Sequence, residues 1–103
     1  KVATTEETKR LLLEGKALSA IARERELKEG TIIDHLEKLL AEDPNLNLTS
    51  IKESIPKKRL DAITSALKKG GKEGGVYRLT PAKIILGTDY SFEDIRLARL
   101  FLN

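Results

Sequence analysis

The sequence predicts an all-α fold of about seven short helices in two clusters that share one core. Three observations predict it. The apolar residues include 17 Leu and 9 Ile against two Val, two Phe and two Tyr, a composition that favours helices over sheets. Ile32, Leu36, Leu39 and Leu40 recur at i, i+4, i+7 and i+8, one apolar stripe of a helix. Capping residues and Gly or Pro breakers punctuate the chain at helix-length intervals.

The elements follow in order. Thr4-x-x-Glu7 fits a capping box for a first helix, with Thr8, Leu11 and Leu12 on one face and Gly15 as its stop. Ser19 is the expected N-cap of a short second helix through Ile21, Ala22 and Arg25. The third carries the Ile32–Leu40 stripe and ends at Asp43-Pro44-Asn45, because a residue before Pro leaves the helical region. Leu46 and Leu48 alternate with polar residues and suggest a few extended residues. Ser50-x-x-Glu53 fits a second capping box, for a short turn through Ile51 and Ile55. Pro56 opens a helix with Leu60, Ile63 and Leu67 on one face, closed by Lys68-Lys69-Gly70. Residues 70–75 read as a mobile Gly-rich loop, followed by a brief extended stretch at Val76, Tyr77 and Leu79. Thr80-Pro81 starts a helix that Gly87 stops, and Ser91-x-x-Asp94 caps a last helix through Ile95, Ala98, Leu100 and Leu102.

Composition excludes much chemistry. The 103 residues contain no Cys and one His, so neither a thiolate site nor a His-rich metal centre can form. No cofactor, small-molecule substrate or membrane partner is expected, and no acid, base and nucleophile stand in a catalytic pattern. Without a Met and starting at Lys1, the chain reads as a piece of something larger, with the cytoplasm as its default location.

The charge is uneven. Residues 1–45 hold 8 basic and 10 acidic residues, a balance of −2; residues 46–103 hold 11 and 6, a balance of +5. This split suggests a subdomain over 1–45, a basic helical subdomain over 46–103, and a polyanion partner for the latter.

Residues 18–40 form the strongest local signal. Two short helices meet at a three- or four-residue turn, with small Ala22 at the crossing and Ile21, Leu27, Ile32 and Leu36 in the wedge. That is a helix-turn-helix, completed as a trihelical unit by the first helix. Such turns often place Gly at a positive φ; the corresponding residue here is near Glu26, where a non-Gly residue costs about 1 kcal/mol, so either the cost is carried or the turn is shaped differently. For the second cluster a winged-helix-like arrangement is one option.

Thr5-x-x-Thr8, Leu12, Gly15, Leu18-Ser19, Ile21-Ala22, Arg25, Leu27, Thr31-Ile32, His35-Leu36 and Leu39 form a pattern that resembles the C-terminal helix-turn-helix domain of bacterial RecQ-type ATP-dependent DNA helicases. Tyr90-Ser91-x-x-Asp94-Ile95-Arg96-Leu97-x-Arg99 resembles that family's closing segment, and Leu79-Thr80-Pro81-x-Lys83 and Leu86-Gly87 its preceding helix. The likeness runs from Thr4 to Arg99, loosely over 41–78. The Thr31-Ile-x-x-His35-Leu36 piece is shared with response-regulator DNA-binding domains. The resemblance implies a non-catalytic accessory module of a helicase active in DNA repair and recombination, with the ATP-dependent motor in the same parent chain. It also implies a bacterial, nucleoid-associated setting.

Candidate nucleic-acid contacts are Lys57, Lys58, Arg59, Lys68, Lys69 and Lys72 in the basic half. Lys57, Lys58 and Arg59 open a helix whose dipole disfavours cations there, and a bound phosphate would account for them. Lys28, Thr31, His35 and Lys38 are the candidates on the outward side of the would-be recognition helix, where Glu29, Asp34 and Glu37 oppose phosphate. Phosphate-dominated, sequence-tolerant DNA binding is the primary reading. A protein-docking module of the helicase and the DNA-binding domain of a transcription regulator are the alternatives.

Overall fold

A computed structural model describes residues 4–102, apart from the side chain of Thr4. The fold is all-α. The order is α1 (Thr4–Leu13), α2 (Leu18–Arg25), α3 (Glu29–Glu42), α4 (Thr49–Glu53), α5 (Lys57–Gly70), β1 (Lys72–Glu73), β2 (Val76–Tyr77), α6 (Leu79–Leu86), a short 3₁₀ turn at Gly87–Asp89, and α7 (Phe92–Arg99). None of these helices is long and apolar enough to cross a membrane. The chain divides into two compact units, Lys1–Ser54 and Ile55–Asn103.

In the first unit α1 and α2 pack on α3. Of the stripe read from sequence, Ile32 and Leu36 are fully buried and Leu39 is 6% exposed, while Leu40 is half-buried. Ile21 and Ala22 of α2 and Thr8, Leu11 and Leu12 of α1 are buried with them. Of the two alternatives the cost is carried: Glu26 ends α2 at φ 57°, ψ 41°, a left-handed turn. It is the one non-Gly residue at positive φ among those described. Glu26→Gly should therefore stabilise this unit by about 1 kcal/mol, measured as a higher urea midpoint at unchanged slope.

Two expected caps are not made. α2 starts after Ala17, so Ser19 lies inside it. α4 starts after Leu48, and the Ser50 hydroxyl donates to the Lys16 carbonyl (3.0 Å) instead of capping. The expected extended stretch at 46–48 forms no strand, and Leu48 turns at φ −107°, ψ 18°. Burial of Leu48 and Ile51, with the Ser50 bond, ties residues 46–54 to the first unit, whereas the charge split assigns them to the second half. The capping box at Thr4 lies outside the described residues.

The second unit is α5, α6 and α7 around Ile63, Ala66, Leu67, Ala82, Ile95 and Ala98. These buried residues all come from this unit. α5 and α6 approach closely at Gly70, where an added Cβ would stand 2.8 Å from the Pro81 Cβ. The loop expected at 70–75 is instead a small hairpin. β1 pairs antiparallel with β2, Lys72 opposite Tyr77 and Glu73 opposite Val76. The two-residue turn Gly74-Gly75 has φ of 62° and 82°, the double positive φ that tight hairpins require. Ser91 caps α7 as the sequence predicts: its hydroxyl accepts from the Asp94 N–H and the Asp94 carboxylate accepts from the Ser91 N–H, both at 3.0 Å.

Candidate nucleic-acid interface

α5 is the basic element of the second unit. It carries Lys57, Lys58, Arg59, Lys68 and Lys69 against one acid, Asp61. At 3.6 residues per turn, Lys57, Lys58, Lys68 and Lys69 fall within about a third of the helix circumference. Burial agrees, since all four are exposed while Ile63, Ala66 and Leu67 face the core. The lysine pairs at the two ends are about 17 Å apart along the axis. Lys57 pairs with Asp61 at 3.3 Å, a solvent-exposed contact of little energetic weight. Lys58, Lys68 and Lys69 make no ion pair among the described residues. Lys72 follows on β1, exposed, with its ammonium 4.9 Å from the Tyr77 ring centre.

Arg59 is different. Its guanidinium donates to Asp94 Oδ2 (3.1 Å) and the Asp89 carbonyl (3.2 Å), and stacks 4.2 Å over the Tyr90 ring centre. Asp94 is thus shared between the α7 cap and Arg59. The cation that the sequence assigns to phosphate already has an anion within the fold. Arg59 is a clasp between α5 and the start of α7.

Other cations of this unit are also engaged. Lys83 donates to the Gly87 and Tyr90 carbonyls at 2.9 and 2.6 Å, Arg78 to the Gly70 carbonyl at 2.8 Å, and Arg99 to the Tyr77 carbonyl at 3.0 Å. Arg78 is not among the sequence candidates. It adds an exposed cation beside the hairpin that no motif marks.

The first unit presents the opposite charge on its would-be recognition helix. α3 bears Glu29, Asp34, Glu37 and Glu42 against Lys38, a balance of −3 with His35 neutral. Lys28 and Lys38 are exposed and Thr31 is half-buried. His35 does not face outward. It is 7% exposed, and its Nδ1 lies 2.8 Å from the hydroxyl of Thr8, itself fully buried. Arg25 donates to the same Thr8 oxygen at 2.6 Å. Thr8, Arg25 and His35, three residues of the pattern noted in the sequence, thereby join α1, α2 and α3 in one node. The i, i+3, i+4 pattern around Leu36 turns His35 inward, which removes it from the contact candidates. Burial holds the His35 imidazole below the ordinary histidine range; Arg25 and Lys38 add to this and Asp34 opposes it. Among the described residues no group of acids and histidines gathers as a metal site.

Two helices meeting at a left-handed turn, with a third packed across them, define a helix-turn-helix protein. Over residues 4–99 the chain matches the family described as a helix-turn-helix domain, and it belongs to that family. No curated protein and no solved structure matches it. A domain of this class suggests DNA binding and is typically non-catalytic.

Proposed function

We propose that the chain binds duplex DNA through phosphate contacts from its second unit, as a non-catalytic accessory domain of a RecQ-like helicase. The carrying observation is the placement of charge. Four lysines line one solvent face of α5, while α3 has a balance of −3. Neutralising phosphates supplies most of the affinity for DNA, so the acidic helix is the poorer candidate whatever its fold suggests. Lys57, Lys58, Lys68, Lys69 and Lys72 are the proposed contacts. Arg59 is left out because its charge is spent on Asp94 and Tyr90. The transcription-regulator alternative needs base contacts from Thr31, Asp34, His35 and Lys38; α3's acids disfavour it, and His35 is buried against Thr8. The helicase context rests on the sequence resemblance, including the Tyr90–Arg99 segment, and brings with it repair and recombination, a nucleoid location and a motor in the parent chain.

The test is a fluorescence-anisotropy titration with a random-sequence duplex at several salt concentrations. About four to five phosphate contacts give a log–log slope near −4, a loss of roughly two hundredfold between about 50 and 200 mM salt. Two duplexes of unrelated sequence should bind alike. A salt-independent affinity, or no binding at low salt, contradicts the proposal.

One observation favours docking as a second reading. The solvent face of α6 has no charge: Ile84 is 76% and Ile85 50% exposed, and Lys83 folds back onto backbone carbonyls. Exposed apolar faces of this kind mark protein contacts. A RecQ-like motor is the occupant this reading names. Ile84→Lys should weaken capture of that motor by the chain and leave DNA affinity unchanged.

A further inference from the structure

The one histidine of the chain lies outside the basic surface and inside the helix-turn-helix. We propose that the Thr8–His35–Arg25 node is a proton-sensitive latch, closing α1 and α2 onto α3 while His35 is neutral and loosening them when the ring is protonated.

The donor count carries the proposal. Arg25 can only donate, so Thr8 Oγ1 accepts from it at 2.6 Å. With the ring proton on Nε2, the Thr8 hydroxyl gives its own proton to His35 Nδ1 at 2.8 Å. All three side chains are served, and no buried polar side-chain atom is orphaned among the described residues. A proton from solvent must bond to Nδ1, the atom that now accepts. Nδ1–H and Arg25 would then both donate to Oγ1, and the Thr8 hydroxyl proton would lose His35 as its acceptor in a fully buried site. The ring would also become a second cation beside Arg25. An unmade buried hydrogen bond and a like-charge contact both oppose protonation in the closed state.

The surrounding charges do not reverse this. From α1, Glu7 is engaged by Arg10. From α2, Arg25 opposes the proton. On α3, exposed Lys38 opposes it and exposed Asp34 favours it, the least of these influences.

The unfolded chain takes this proton near pH 6.5, and the folded chain only at lower pH. Below about 6.5 the unfolded state binds more protons, so stability is complete above that pH and falls as pH falls.

The experiment is urea unfolding of the whole chain, read on α3 amide resonances, at pH 7.5 and 5.5. The reference is His35→Gln, which keeps an acceptor for Thr8 and does not titrate. The wild-type unfolding constant should rise relative to that of H35Q over this interval, by at most about tenfold. Parallel changes in the two proteins overturn the latch. Should H35Q fail to fold, the wild-type ring resonances decide: an inflection clearly below 6.5 supports the latch, and one at or above 6.5 overturns it.

Discussion

Reversing Lys57, Lys58, Lys68 and Lys69 to Glu should lower duplex DNA affinity by on the order of a thousandfold at about 50 mM salt. The substitution moves the net charge from +3 to −5, since each reversal removes two charges. All four side chains are exposed, so circular dichroism and the thermal midpoint should change little. The effect is large because each ammonium that would attract a phosphate becomes a carboxylate that repels it. The matching change on α3, Lys28→Glu with Lys38→Glu, should cost far less. That contrast separates the α5 surface from the usual groove-reading role of a helix-turn-helix. Anisotropy titrations of both variants against one duplex check it.

Leu36→Ala should destabilise the first unit by about 2–5 kcal/mol. Leu36 of α3 is fully buried, as are Ile32 of α3 and Ile21 of α2, which packs on α3. Truncation removes apolar burial and leaves a cavity. Leu67→Ala should cost about as much in the second unit, where Leu67 is fully buried among Ile63, Ala66 and Ile95. Urea unfolding of the two variants measures both. A loss below about 1 kcal/mol for Leu36→Ala would mean that the wedge is not the centre of its unit.

What the sequence reveals is local. The Ile32–Leu39 stripe, the Ser91–Asp94 box and the positive φ at Glu26 each depend on residues a few positions apart, and each is present in the structure. What it conceals is mostly distant. Thr8 and His35 are 27 residues apart, Arg59 and Asp94 are 35 apart, and Ser50 and Lys16 are 34 apart. Ser19 and Ser50 satisfy a capping pattern, yet the helix boundaries fall one or two residues earlier and leave both inside a helix. The hairpin at 72–77 is legible in principle, because Gly74-Gly75 between short flanks is a tight-turn signal; the glycine count around it reads as looseness.

The same distinction governs the interface. Periodicity identifies which lysines share the outer face of α5, but only packing reveals that Arg59 is claimed by Asp94 and Tyr90, and that His35 is claimed by Thr8. Charge counts alone place all of them on one footing. The proposed surface is therefore narrower: lysines on α5 and β1, with Arg59, Arg78 and Arg99 holding backbone carbonyls and a carboxylate in place.

The most direct test is a two-dimensional amide spectrum of the chain recorded as a short random-sequence duplex is added. Shifts concentrated at Lys57–Lys58 and at Lys68–Lys72, with α3 unmoved, are the predicted result. Shifts centred on Thr31, Asp34 and Lys38 that depend on duplex sequence would contradict it.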